Sequence, residues 1–254
     1  MKKIESYTAH KQEGILLNAN ENSSNISKEL LEEMKKGMEE VYFNRYPDDD
    51  CTELLNAYSS YIQLDANQIL CGNGSDQMLG MMIGYYLGKG KTLYTIAPDF
   101  SMYDYYATSY EANLLKYPCE KDGSFDIDAF IEMGLENNVK LVLFSNPNNP
   151  TGHFLGWKDI KKIVEAFKDI PVIIDEAYVE FATESMVNHI NDYENLFVTR
   201  TLSKAFGFAG MRCGFLCGPK KAMAQLKLSK VPYALSSLTM KLSTILLSHV
   251  DEYK

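Results

Sequence analysis

The chain has 254 residues and a mass of 28.8 kDa, with 46% hydrophobic, 12% aromatic and 23% charged residues. This composition excludes a disordered, collagen-like or disulfide-scaffold protein, and the length suits one large domain or one and a half smaller ones. A formal charge of −9 and a pI near 5.0 argue against nucleic acid or an anionic membrane as the main partner, since phosphate surfaces are bound by excess Lys and Arg.

The amino-terminal stretch carries two lysines but no apolar run long enough for a signal peptide, and nothing later approaches a membrane span. A soluble cytoplasmic protein is the expectation. The five cysteines are odd in number and scattered, which fits reduced thiols in a reducing compartment. Cys213 and Cys217 share a strand face, but no Cys or His pair accompanies them and the four histidines are dispersed, so no metal is expected.

In chain order, helical stretches at 27–40 and 50–62 precede a strand at 68–72 and a helix at 76–87. Strands at 91–98 and 112–118 flank a helix at 99–110; a helix at 126–137, capped by Asp126, leads to a strand at 140–147. The helix at 157–168 repeats apolar residues at Trp157, Ile160, Ile163, Val164 and Phe167. Strands at 171–178, 195–200 and 212–218 follow, then helices at 219–229 and 236–250. Strands alternating with helices predict an α/β protein: three layers, α/β/α, around a mostly parallel seven-stranded sheet. In such sheets ligands sit beyond the carboxyl ends of the strands.

The turns at those ends hold the unusual polar residues. GNGSDQ at 72–77 offers a glycine turn into a helix, with Ser75 placed to cap it near Asp76; it suits a phosphate or serves as a plain turn. SNPNNPTG at 145–152 presents Asn146, Asn148 and Asn149 around two prolines, either as amide donors or as favoured turn residues. PVIIDEAYVEF ends a buried strand on Asp175, a carboxylate that asks for a positive partner. In TRTLSKAFGFAGMRCGF, Lys204 lies among apolar residues, which favours the neutral amine and a nucleophile toward carbonyls; a surface lysine is the alternative. The Met- and Tyr-rich run MLGMMIGYYLG reads as buried helix. A single ligand, pyridoxal phosphate, would use all these pieces, needing a lysine, an acid, ring-oxygen donors and an anion site.

With NPNNPTG, DEAYVEF and RTLSKAFGFAGMRCGF in order, and Asp175 29 residues before Lys204, the chain resembles the fold-type I pyridoxal-phosphate aminotransferases (class I/II). Within them it is most similar to the histidinol-phosphate aminotransferases, from LNANEN at 17–22 to VPYALSS at 231–237. The resemblance implies that Lys204 is the Schiff-base lysine and proton shuttle, that Asp175 pairs with the pyridine nitrogen, and that Asn149 and Tyr178 hold the ring oxygen. It further implies that Ser75, Asp76, Ser203 and Arg212 bind the phosphate and that Phe100 stacks on the ring. Tyr46 would reach the phosphate of a neighbouring subunit in a homodimer with shared sites, and Asn20 and Glu21 would approach the substrate. The implied reaction is transamination between an amino donor, such as histidinol phosphate or glutamate, and a 2-oxo acceptor.

On this pattern residues 1–30 form an amino-terminal arm with part of a small domain, and residues 31–254 the cofactor-binding large domain. Relatives continue into a carboxyl-terminal small domain of roughly 100 residues, whereas 50 residues follow Lys204 here and no arginine follows Arg212, so that domain and its anion clamp are expected to be absent. The alternatives are a cofactor-binding but catalytically incomplete homologue, and an enzyme like the threonine-phosphate decarboxylases. A nucleotide-binding protein would rest on GNGSDQ alone.

Overall fold

A computed structural model of the chain describes Gly14 and residues 17–253, so most of the first half of the expected arm lies outside the described residues. Helix α1 (Lys28–Glu39) opens where the Ser27 hydroxyl accepts the Leu30 N–H at 3.2 Å, and it buries Leu30 and Met34. Helix α2 (Thr52–Ile62) follows, then β1 (Ile69–Asn73), α3 (Gly74–Tyr86), β2 (Thr92–Ala97), α4 (Met102–Ser109) and β3 (Asn113–Pro118). Helix α5 (Ile127–Glu136) starts at Asp126, whose carboxylate accepts the Ala129 N–H, as the sequence predicts. Strand β4 (Leu141–Ser145), α6 (Trp157–Ala166), β5 (Val172–Asp175), β6 (Leu196–Thr201), β7 (Cys213–Cys217), α7 (Lys220–Lys227) and α8 (Ser237–Ser248) complete the order.

The strands assort their side chains by the two-residue period. Val142, Phe144, Val172, Ile174, Val198 and Phe215 face one helical layer with buried residues of α2, α5, α6 and α8. Leu141, Leu143, Ile173, Phe197 and Leu216 face the other, with α3, α4 and α7. Near-continuous apolar runs are what a sheet covered on both sides requires. Cys213 and Cys217 lie on one face and are wholly buried. Tyr58 stacks on Phe215 with ring centroids 3.5 Å apart, tying α2 to the sheet.

The sheet order is β1-β7-β6-β5-β4-β2-β3, and β7 alone runs antiparallel to its neighbours. That reversal matters for the site. The start of β7 comes to the edge where the other strands end, so Asn73 pairs with Cys213, and Arg212 lies just outside. Along the same edge Ser145 pairs with Asp175, Asp175 with Thr199 and Thr201 with Gly214.

Several boundaries move. The strands predicted at 140–147 and 171–178 stop at Ser145 and Asp175, because Pro147 lacks a ladder N–H and residues 176–178 leave the sheet as a turn. Helix α3 opens at Gly74, so Ser75 sits inside its first turn and does not cap it; Asn73 occupies the cap position. Turns of 3-10 helix at Val179–Phe181 and Met186–Asp192 carried no clear sequence signal. Among the described residues no helix is long and apolar enough to cross a membrane.

Candidate active site

At the carboxyl edge, Asn20, Ser75, Asp76, Phe100, Asn149, Asp175, Tyr178, Ser203, Lys204 and Arg212 line one cavity of about 260 Å³. Its floor is Asp175, 3% exposed at the tip of β5. Within the chain this carboxylate meets neutral donors: Tyr103 donates to Oδ2 at 2.8 Å and Thr199 to Oδ1 at 2.9 Å, and the Ala177 N–H also bonds it. Burial pushes the carboxyl up to about 6; those bonds oppose the shift, and the charge of Asp76 adds to it. A cation brought against Asp175 would favour the ionised form.

Lys204 follows β6 in a bend, half-buried, with its Nζ 5.7 Å from the centre of the Tyr178 ring and donating to the Ala19 carbonyl at 2.6 Å. Burial lowers its pKa, while Asp76, Glu21 and Asp175 pull the other way. The segment around Ala19 straps the mouth: Asn20 Nδ2 donates to the Tyr178 hydroxyl at 2.9 Å, and Asn22 Nδ2 to the Ala205 carbonyl at 2.9 Å. Burial also raises the Tyr178 phenol.

One end of the cavity joins a helix N-terminus to a guanidinium. The first turn of α3 contributes Ser75 and Asp76, whose N–H groups have no partner within the helix ladder. Arg212, in the left-handed region at φ 53°, directs its guanidinium to Asp76 Oδ2 at 3.0 Å and Ser203 Oγ at 3.4 Å. Gly74 at φ 75° donates to the Arg212 carbonyl. A Cβ on Gly214 would run into the Ser75 nitrogen and the Gly74 carbonyl carbon, so the absence of a side chain there brings β7 against this turn.

The asparagine run divides its work. Asn146 exchanges bonds with the Leu155 backbone at 2.9 and 2.8 Å, closing the loop, and Asn148 Oδ1 accepts from the Thr151 N–H and hydroxyl. Asn149 faces the cavity and donates its backbone N–H to Ser145 Oγ at 2.9 Å. Phe100 meets Tyr103 edge-on, with centroids 5.6 Å apart.

Two expected residues do not line the cavity. Glu21 acts on Lys204 through its charge, and Tyr46 is 83% exposed, stacked on Tyr233 at 4.8 Å. Sequence reasoning missed Tyr103 and Thr199. Tyr103 sits one helical turn beyond Phe100, and Thr199 is set beside Asp175 by strand register alone.

The chain matches the family of class I and II aminotransferases over residues 12–254. It is 38% identical over 237 residues to the histidinol-phosphate aminotransferase of Clostridium novyi, covering 93% of this chain and 66% of that protein. A histidinol-phosphate aminotransferase of Clostridium kluyveri is 36% identical over 255 aligned positions, covering 100% of this chain and 72% of that one. The fold is shared with the crystal structure of histidinol-phosphate aminotransferase from Sinorhizobium meliloti in complex with pyridoxal-5'-phosphate, at a TM-score of 0.86 and 21% identity over 92% of this chain and 64% of that one. The chain thus spans about two thirds of the length of these relatives. With a lysine, a buried acid and an arginine beside a helix N-terminus gathered in one cavity, the chain belongs to the class I and II aminotransferase family.

Proposed function

We propose that the chain binds pyridoxal 5'-phosphate and acts as an aminotransferase of the histidinol-phosphate type. The observation that carries this reading is one cavity holding a lysine tilted toward its neutral form, a buried acid bonded by neutral donors, and an arginine against a helix N-terminus. These groups suit a ligand with a carbonyl, a basic ring nitrogen and a phosphate. The identity to the named relatives supports the substrate class: histidinol phosphate or glutamate as amino donor, a 2-oxo acid as acceptor.

When bound, the cofactor supplies the carbonyl that takes up the amino group and an electron-accepting ring. The protein does the rest. Lys204 Nζ, poised by burial to lose its proton, takes and returns the proton at the substrate Cα. Asp175 holds a proton on the ring nitrogen, and Asn149 and Tyr178 orient the ring oxygen. Ser75, Asp76 through its N–H, Ser203 and Arg212 hold the phosphate, and Phe100 gives the ring an apolar wall. The strap from Ala19 to Asn22 limits entry of water beside Lys204.

A homodimer with shared sites belongs to the same reading. Tyr42, Phe43 and Tyr46 are 73% to 83% exposed, and Leu228 and Val231 are also exposed, an apolar set that a second copy would cover. Five free cysteines favour a reducing compartment such as the cytoplasm.

The test is to titrate the purified chain with pyridoxal phosphate by visible absorbance and then assay it with glutamate and imidazole acetol phosphate. Saturable binding with 2-oxoglutarate release, both lost in Lys204→Ala, is the expected result. No binding overturns the reading, and binding without turnover reduces it to a cofactor-binding protein.

A further inference from the structure

We propose that Asp99, which lies behind the cavity wall, is the positioning residue that sets both Phe100 and Asn149 toward the ligand, acting on Asn149 through Ser145; this rests on the pyridoxal-phosphate reading of the site. Asp99 follows β2, and its carboxylate gathers donors from separate parts of the edge. Oδ1 accepts the Phe100 N–H at 2.7 Å and the Ser145 hydroxyl; Oδ2 accepts the Ser145 N–H at 3.1 Å and the Thr95 hydroxyl at 3.5 Å.

The consequence lies in the direction of the Ser145 hydroxyl. A hydroxyl has one proton to donate and two lone pairs with which to accept. An ionised Asp99 only accepts, so Ser145 donates to it and turns both lone pairs the other way. These receive the Asn149 N–H at 2.9 Å and Asn148 Nδ2 at 3.2 Å. One carboxylate therefore fixes the aromatic residue beside it and the loop residue opposite, from two strands that share no ladder bond at that level. Burial pushes the Asp99 carboxyl up to about 7, with the charge of Asp175 adding to the shift and the bonds from Ser145 and Phe100 opposing it. Tyr103 and Cys119 are the other titratable groups it acts on.

Asparagine at position 99 has nearly the same shape but the wrong pattern. In either orientation its amide presents a donor to the Ser145 N–H or to the Phe100 N–H.

The experiment measures pyridoxal-phosphate dissociation constants at pH 8.5, where Asp99 is ionised, for the wild type, Asp99→Asn, Ser145→Ala and the double variant. Each single substitution is expected to weaken binding about tenfold, and the double no more than the worse single, because both break one chain of bonds. A change below twofold in Asp99→Asn, or effects that multiply in the double, overturns the proposal. A second readout needs no cofactor: amide hydrogen exchange at Asn149 in the ligand-free chain, followed by NMR. Exchange at Asn149 at least tenfold faster in Asp99→Asn, with Tm held within a few degrees, supports the relay, and unchanged exchange overturns it. Failure of the wild type to bind pyridoxal phosphate counts against the proposed function; the exchange result then still decides whether Asp99 controls Asn149.

Discussion

The Tyr103 phenol donates to Asp175 Oδ2 at 2.8 Å, placing a wholly buried hydroxyl of α4 beneath the acid at the tip of β5. A bond to a charged acceptor stabilises the charged form by about 1.5–3 kcal/mol. Tyr103→Phe therefore shifts the Asp175 titration upward from about 6 by roughly one unit. Carbon-detected NMR titration of Asp175 checks this, and an unshifted midpoint would sink it.

The same carboxyl makes stability depend on pH. The ordinary value for Asp is 3.8, and in the fold Asp175 titrates near 6 and Asp99 near 7. Between those values the folded chain holds more protons than the unfolded one, so their contribution to stability is full below about pH 4 and is lost as pH rises through 6 to 7. In the ligand-free chain Asp175→Asn flattens this decline by on the order of 2 kcal/mol. Urea midpoints at pH 5 and pH 8 give the comparison; parallel slopes in wild type and variant contradict it.

Arg200 is 8% exposed at its side chain and bonds to Glu176 at 2.9 Å, with Glu180 at 3.9 Å and the Ser185 and Tyr61 hydroxyls also among its partners. Glu176 also accepts the Met186 N–H at 2.6 Å, so this cluster anchors the turn that carries Tyr178. Arg200→Met leaves Glu176 buried without a cation and is expected to cost about 3–5 kcal/mol. Adding Glu176→Gln recovers part of the loss. Chemical denaturation of the single and double variants provides the test, and equal stability of wild type and Arg200→Met refutes it.

Gly214→Ala drives a methyl group into the backbone of Gly74 and Ser75, which cannot retreat without moving the start of α3. Overpacking of this kind costs about 1–3 kcal/mol, and where that cost falls on the turn that would hold the phosphate, pyridoxal-phosphate binding should weaken by about fivefold or more. Gly210→Ala, which meets nothing within 4 Å, is the matched control. Equal dissociation constants for the two variants would show that the close approach of β7 is unimportant.

Much of this architecture was legible in the chain because its signals are local. Short apolar runs bounded by Gly, Pro and Asn mark the strands, and Asp126 announces its helix. The residues lining the cavity fall in turns where polar groups interrupt those runs. What stayed hidden depends on contacts between distant segments. Nothing in LFVTRT distinguishes Thr199 from its neighbours until β6 lies beside β5. Tyr103 and Asp99 fall in the helix expected at 99–110 with nothing to single them out. The neutral donors that α4 and β6 bring to Asp175 are likewise invisible before the layers close.

Among the described strands β1 pairs with β7 alone, whose first residue lies 140 positions beyond Asn73 in the Asn73–Cys213 pair. During synthesis β1 therefore emerges long before its partner, with its ladder groups unmet and α3 lacking the strand that backs its first turn. Contacts of such sequence separation form slowly and leave intermediates prone to association. The end of the cavity where Arg212 meets the first turn of α3 is consequently among the last parts to assemble, and a nascent chain arrested before Cys217 presents an open edge for chaperones to shield.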